Sequence, residues 1–204
     1  MRINPEKKED RERIARTLLR VTLRLASEHG FVSLGLREVS RAADIAPTSF
    51  YRHFADMEEL GRELIESLAG PFIEGFVTRA GATRRAAEPL SLGVAREAIA
   101  STAEDPELMR FILAERVGAI PSFRAGIEAK VATVSTAIAE SIESGAGALQ
   151  TDAALVADAA VVLILGACGD LLDRGEEHAA DVWKRIDGQL RILLAGIAEP
   201  RGRR

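Results

Sequence analysis

Nineteen residues, Leu36 to Phe54 (LREVSRAADIAPTSFYRHF), constrain the fold of this chain more than any other stretch. Leu36, Val39 and Ala43 fall at i, i+3 and i+7 and so share one face of a helix. Asp44-Ile45-Ala46 makes the tight turn that follows, with Ile45 directed back into a small core. Pro47 opens a second helix at its first position, where proline is welcome. Phe50 and Phe54, at i and i+4, anchor the inner face of that helix. Thr48, Ser49, Tyr51, Arg52 and His53 are left for its outer face. Hydroxyls, a phenol and a guanidinium on a short exposed helix can meet phosphates and base edges in the major groove. The stretch therefore reads as a helix-turn-helix. Arg37, on the first of the two helices, joins these five as a candidate DNA contact.

The stretch resembles the DNA-binding domain of the TetR family of transcriptional regulators. Within that family, Ile45 to Phe54 (IAPTSFYRHF) looks like the repressors of unsaturated fatty acid synthesis. The resemblance runs from about Lys7 to Leu68 and takes in the preceding amphipathic helix and the helix that follows. Two positions depart from the family pattern. Asp44 stands where Gly is common, and Asp tolerates left-handed backbone better than most residues. Gly35 stands where Ser or Thr usually caps the first helix, a loss of roughly a few tenths of a kcal/mol. The resemblance implies an all-α, TetR-like chain. Its three-helix head would span residues 1–55, a connecting helix 56–80, and a helical ligand-binding and dimerisation domain 81–200.

Charge is divided in the same sense. Residues 1–54 hold 11 Lys+Arg and 7 Asp+Glu, net +4, while residues 55–204 hold 16 and 24, net −8. A small DNA-reading head on a larger body would show this, although chance can produce such asymmetry. Cys168 alone excludes an internal disulfide and a Cys-based metal site, and its apolar surroundings make it a buried structural thiol. The amino-terminal MRINPEKKEDRER lacks the apolar core of a signal peptide. The longest uncharged apolar run, Ala159 to Gly169, is far short of the roughly 20 residues of a membrane helix. A soluble, cytoplasmic protein with no membrane partner is expected.

Helical periodicity continues along the chain. The first helix is predicted from about Lys7 to His29, with Ile14, Leu18, Val21 and Leu25 as its apolar stripe and Gly30 ending it. Its mixed opening charges, Lys7, Lys8, Arg11 and Arg13 among acids, suit a solvated end or phosphate contact. Asp56 and Glu59 form a capping box for the connecting helix. Gly70-Pro71 predicts a kink or break, and Gly81 to Pro89 a loop. Ser91 to Thr102, Pro106 to Val117 and Pro121 to about Ser144 read as body helices, the second capped by Asp105. Gly145-Ala146-Gly147 is a loop, and GAGALQ is no dinucleotide fingerprint because it follows a helix and lacks the third glycine. Thr151 or Asp152 caps a helix to about Asp173, and Asp181 starts a last one carrying Val182, Ile186, Leu190, Leu193 and Ile197. Pro200 to Arg204 reads as a disordered tail.

On the first of the two last helices, Ala153, Ala157, Ala160, Val161, Ile164, Ala167, Cys168 and Leu171 form a small-residue surface. The family resemblance implies a homodimer through the last two helices, and so a palindromic operator; packing inside one subunit is the plainer alternative. No catalytic constellation is visible, His29, His53 and His178 lack metal-ligand spacing, and neither a nucleophile elbow nor a phosphate loop occurs. An enzyme is not expected, and no cofactor beyond an effector. The segment Leu108 to Ile127 also resembles the fatty-acid-responsive repressors. Phe72, Phe76, Phe111, Leu113, Arg116, Ile120, Phe123, Arg124 and Ile164 are candidate ligand contacts, as apolar walls with guanidinium groups at a mouth. Plain core packing of Phe111 and Phe123 is the competing account. The expected function is a ligand-responsive repressor sensing long-chain acyl-coenzyme A in fatty acid synthesis or desaturation. The alternative is a repressor of an efflux or catabolic operon answering another apolar small molecule.

Overall fold

The computed structural model describes residues 5–83, 88–145 and 152–198, and these form helices and turns with no strand among them. The chain parts into two compact units. The first takes the residues up to Ala69 together with Arg110–Ile127, and the second takes Gly70–Met109 with the residues from Glu128 onward. The boundaries expected at 55/56 and 80/81 therefore do not coincide with the compact units. The side chains of Lys7, Lys8 and Ile197, the caps and loops placed at 84–87 and 146–151, and the tail from Pro200 lie outside the described residues.

In the first unit, helix α1 (Pro5–His29) packs against α2 (Leu36–Ala42) and α4 (Met57–Leu64). Contact with both widens its inner face beyond the apolar stripe the sequence shows. Leu18, Leu19, Thr22, Leu23 and Ala26 are buried, whereas Ile14, Val21 and Leu25 are half-buried. Gly30 ends α1 with φ 78 and leads into a single turn, Phe31–Ser33. Helix α4 begins as its sequence predicts: Asp56 accepts a 2.7 Å hydrogen bond from the Glu59 N–H, and Glu59 accepts one from Ala55 N–H.

A π-turn, Ile65–Ala69, follows α4, and α5 (Gly70–Thr83) follows that. The kink or break expected at Gly70-Pro71 thus takes the form of a widened turn, not an interruption. Pro71 has no N–H and its ring crowds the carbonyl four residues back, at Ser67, which lies inside the π-turn. Helix α5 runs to Thr83, so Gly81–Thr83 are helical where the sequence suggested a loop.

The segment Arg110–Ile127 includes the end of α7 (Pro106–Arg116) and the start of α8 (Pro121–Gly145). Aromatic packing joins it to the first unit. The Phe31 ring meets Phe123 edge-on at 4.8 Å between centroids and Phe111 at 6.5 Å. Phe123, fully buried, lies against α4 where Gly61 leaves room: a Cβ there would stand 2.0 Å from the Phe123 Cζ. Ser122 Oγ donates to Glu58 Oε1 at 2.8 Å beside this contact.

The second unit packs α5, α6 (Leu90–Glu104), α9 (Ala153–Arg174) and α10 (Ala179–Ala198). Asp152 caps α9 by accepting from Ala154 N–H at 3.0 Å. The small-residue surface of α9 is entirely buried in the chain's own core, from Ala153 through Ala160 and Ile164 to Leu171. It is therefore not a free intersubunit face. Small side chains let α6 and α10 approach closely, which is the plainer of the two readings. Helix α9 is also 22 residues long and holds an 18-residue window of mean hydropathy 2.1, long and apolar enough to cross a membrane by composition alone. Counting uninterrupted apolar residues missed this, since Asp158 and Asp170 break the run without breaking the helix. Its packing against α6 and α10 is that of a core helix.

Gly61 generates a sign test. An exposed helix-interior Gly→Ala change stabilises by roughly 0.5–1 kcal/mol. Gly61→Ala should instead destabilise the chain, by about 1–3 kcal/mol, because Phe123 has nowhere to go. Urea unfolding reads the difference, and a stabilised variant would mean that Phe123 does not seat there.

Candidate nucleic-acid interface

The helix-turn-helix is set by one backbone conformation. Asp44 has φ 55, the only positive φ at a non-glycine among the described residues. Its own N–H bonds the Arg41 carbonyl at 3.1 Å, and Ile45 N–H bonds the Ser40 carbonyl at 3.0 Å. The chain then reverses into α3 (Pro47–Phe50), with Ala46 as N-cap and Pro47 at its first position. Helix α3 is shorter than the sequence suggests. Tyr51, Arg52 and His53 continue it as turns, with Arg52 N–H to Ser49 O at 3.1 Å and His53 N–H to Phe50 O at 2.8 Å. Phe50 and Phe54 are buried with centroids 5.9 Å apart, which fixes the inner face.

Of the six candidate DNA residues, Arg37, Thr48, Tyr51 and Arg52 are exposed, and Ser49 and His53 are half-buried. Tyr51 is 63% exposed although its ring edge touches Phe50. A large aromatic side chain held out by a buried neighbour is oriented for contact. Arg37 and Pro47 line one shallow hollow of about 330 Å³ with Arg41, Asp44, Ile45 and Ala46. Arg41 was not singled out from sequence, although its position four residues after Arg37 puts both on one face. Ile45 is half-buried at this hollow's edge, less enclosed than expected.

His53 and Phe54 line a second, larger groove of about 700 Å³ together with Arg11 and Arg16 of α1 and with Glu59 and Glu63 of α4. Its imidazole is held below the ordinary histidine value, first by burial and then by the positive charges of Arg11 and Arg52. Its Nδ1 has no hydrogen-bond partner among the described residues. A neutral ring beside two guanidinium groups can donate to a phosphate without adding to their repulsion.

The nine candidate ligand residues fall in both units. Phe111 and Phe123 are buried against Phe31, Leu113, Arg116, Ile120 and Arg124 are half-buried, and all six belong to the first unit. Arg124 donates to the Gly118 carbonyl at 2.6 Å and so closes the bend between α7 and α8. Phe72, Phe76 and Ile164 belong to the second unit, where the Phe72 and Phe76 rings meet at 5.1 Å and Ile164 is buried in α9. Among groups the sequence did not single out for burial, Glu115 is 4% exposed, accepts from the Phe31 backbone, and leaves Oε2 without a partner. Cys168 is buried and its thiol is pushed up to about 11, chiefly by burial, which keeps it unreactive.

These features define a helix-turn-helix DNA-reading head on an all-helical body. Residues 18–64 match the bacterial regulatory proteins of the tetR family. The chain is similar in fold to a TetR-like transcriptional regulator from Rhodococcus sp. RHA1, at 16% identity and TM-score 0.73, covering 90% of this chain and 96% of that one. It is also similar to the fatty acid degradation regulator FadR from Bacillus halodurans, at 14% identity and TM-score 0.72, covering 98% and 100%. FadR from Bacillus subtilis, solved in complex with stearoyl-CoA, matches at 18% identity and TM-score 0.70, covering 89% and 98%. Residues 18–64 thus carry the DNA-binding helix-turn-helix region of the tetR family, and the described helices share the fold of these solved regulators.

Two predictions follow from this geometry. Tyr51→Ala and Arg52→Ala, at exposed sites, should each weaken binding to an operator recovered from a random duplex pool by about 1–3 kcal/mol while leaving the melting temperature nearly unchanged. Gel-shift titration measures this, and parent-like affinity from both would remove α3 and its turn from the interface. The second concerns Glu115, whose carboxyl is raised above its ordinary value, first by burial and against the opposing Phe31 hydrogen bond. A carboxyl raised in the folded state contributes stability below its unfolded value and loses it as pH rises through the folded value. Glu115→Gln should therefore lose less stability than the parent as pH rises above the ordinary carboxylate range. Parallel urea-midpoint curves would contradict this.

Proposed function

We propose that the chain is a homodimeric repressor that binds a palindromic operator in the cytoplasm and responds to an apolar small-molecule effector, a long-chain acyl-coenzyme A. The observation that supports operator binding best is the exposed Thr48, Tyr51 and Arg52 surface held by buried Phe50 and Phe54. Regulators of this family bind operators as dimers and take small-molecule effectors. One recognition helix reads few bases, so two on a dyad are needed for a specific site. The acyl-thioester reading is supported by the sequence resemblance around Leu108 to Ile127 and by the two fatty acid regulators of similar fold. An effector of another apolar class, in an efflux or catabolic operon, is the second reading; the split of the candidate ligand residues between two units favours neither.

The dimer is assigned to the last two helices through different residues from those the sequence suggested. Leu155 and Val162 on α9 and Ile192 on α10 are 65%, 59% and 76% exposed. Leu155 and Val162 are seven residues apart, on the face opposite the buried small-residue surface. Gly166, Gly188 and Gly196 have open space where a Cβ would stand, which permits close approach of a second helix. Val162→Asp with Ile192→Asp should give a folded monomer in sedimentation, since an unpaired charge in an apolar contact costs several kcal/mol, roughly 2–7. A dimer surviving both changes would place the interface elsewhere. Ile164→Asp should unfold the subunit instead.

The effector is tested by thermal melting of the full chain with palmitoyl-coenzyme A, oleoyl-coenzyme A and free coenzyme A. A ligand at 100 times its Kd stabilises by about 2.7 kcal/mol. Both thioesters should raise the melting temperature and free coenzyme A should not. No shift with either thioester would leave the second reading.

A further inference from the structure

Helix α1 carries a charged surface that the recognition turn does not use. From Arg13 to Ser27 the chain holds four arginines and no acid. Arg13 is paired with Asp10 at 3.0 Å. Arg16, Arg20 and Arg24 are exposed and make no ion pair among the described residues. They stand at i, i+4 and i+8, so they share one face, with successive members about 6 Å apart along the axis. That face is opposite the buried Leu18, Thr22 and Ala26.

Like charges at i and i+4 repel and destabilise a helix. A face that only needed solvation would gain from alternating signs, as the preceding Glu9-Asp10-Arg11-Glu12-Arg13 does. The helix dipole favours Arg24 near the carboxyl end but gives nothing to Arg16 in the middle. The stripe also starts at the recognition segment, since Arg16 lines the same groove as His53. Exposed guanidinium groups thus continue from Arg52, past the neutral His53, to Arg16 on α1, and about 12 Å further, to Arg24.

A polyanion fits such a row. Duplex DNA carries one negative charge per roughly 1.7 Å of axis. An acidic membrane fits less well, because a helix lying in a lipid interface needs a free apolar face, and that of α1 forms the core of the first unit.

We propose that Arg16, Arg20 and Arg24 form a second, sequence-independent DNA surface that holds phosphates flanking those met by the recognition turn. The proposal rests on the DNA-binding reading of the head. The stripe governs salt dependence and non-specific affinity, and base choice stays with α3 and its turn.

The test titrates the parent, R16Q/R20Q/R24Q, R16K/R20K/R24K and Arg52→Ala against a long mixed-sequence duplex over a series of salt concentrations, with circular dichroism to confirm folding. The glutamine triple should flatten the slope of log K against log salt by about 0.9 per arginine, about 2.7 in all, and the lysine triple should restore it. A parent-like slope from the glutamine triple, with Arg52→Ala weakened, overturns the stripe and leaves the head's DNA function intact. No binding by the parent overturns both. A glutamine triple that keeps its DNA slope but loses binding to phosphatidylserine vesicles makes the stripe a lipid surface and overturns the proposal.

Discussion

The left-handed backbone at Asp44 sets the geometry on which the DNA-reading surface depends. Without φ 55 at that residue, α2 would run on or the chain would leave it in another direction, and Pro47 could not start α3 where it does. Left-handed backbone costs an ordinary L-residue roughly 1–2 kcal/mol, less for Asp. The cost is offset locally. Phe50 behind the turn is fully buried, and its burial contributes about 1.5–3 kcal/mol. That exchange puts Tyr51 and Arg52 in solvent, on a segment too short to be stable as an isolated helix. The recognition surface is thus held by a turn and an aromatic anchor more than by helix formation.

A second constraint lies in the aromatic contact of Phe123 with Phe31 and Gly61. It makes Arg110–Ile127 part of the unit that carries the helix-turn-helix, although the 40 residues Gly70–Met109 separate it in sequence from Ala69. Phe123 fits only because residue 61 lacks a side chain. The unsatisfied Glu115 carboxyl sits in the same segment and is bonded to the Phe31 backbone. Binding anywhere that moves Arg110–Ile127 therefore has a physical route to the head through packed side chains, without passing along the chain.

Much of this was legible in the sequence because the signals were local. Asp44 in the turn, Pro47 at the helix start, the Phe50–Phe54 spacing and the Asp56–Glu59 cap each act within four residues, and each is realised. What was not legible depends on which neighbours cover a face. The small-residue row of α9 looks the same in sequence whether it meets α6 of its own chain or another subunit. Leu155, Val162 and Ile192 look like ordinary helix residues until burial shows them left outside. The inner face of α1 was misplaced for the same reason: two helices cover it where one stripe was assumed. Phe111 and Phe123 were ambiguous between pocket wall and core, and their contacts with Phe31 show core packing.

The most direct measurement is selection of binding sites from a random duplex pool with the full chain, followed by hydroxyl-radical footprinting on the enriched sequence. The account predicts an inverted repeat, protected on one face of the duplex, with half-site centres separated by a whole number of helical turns of about 10–10.5 base pairs. Failure to enrich any sequence, or enrichment of a single asymmetric site, would contradict it.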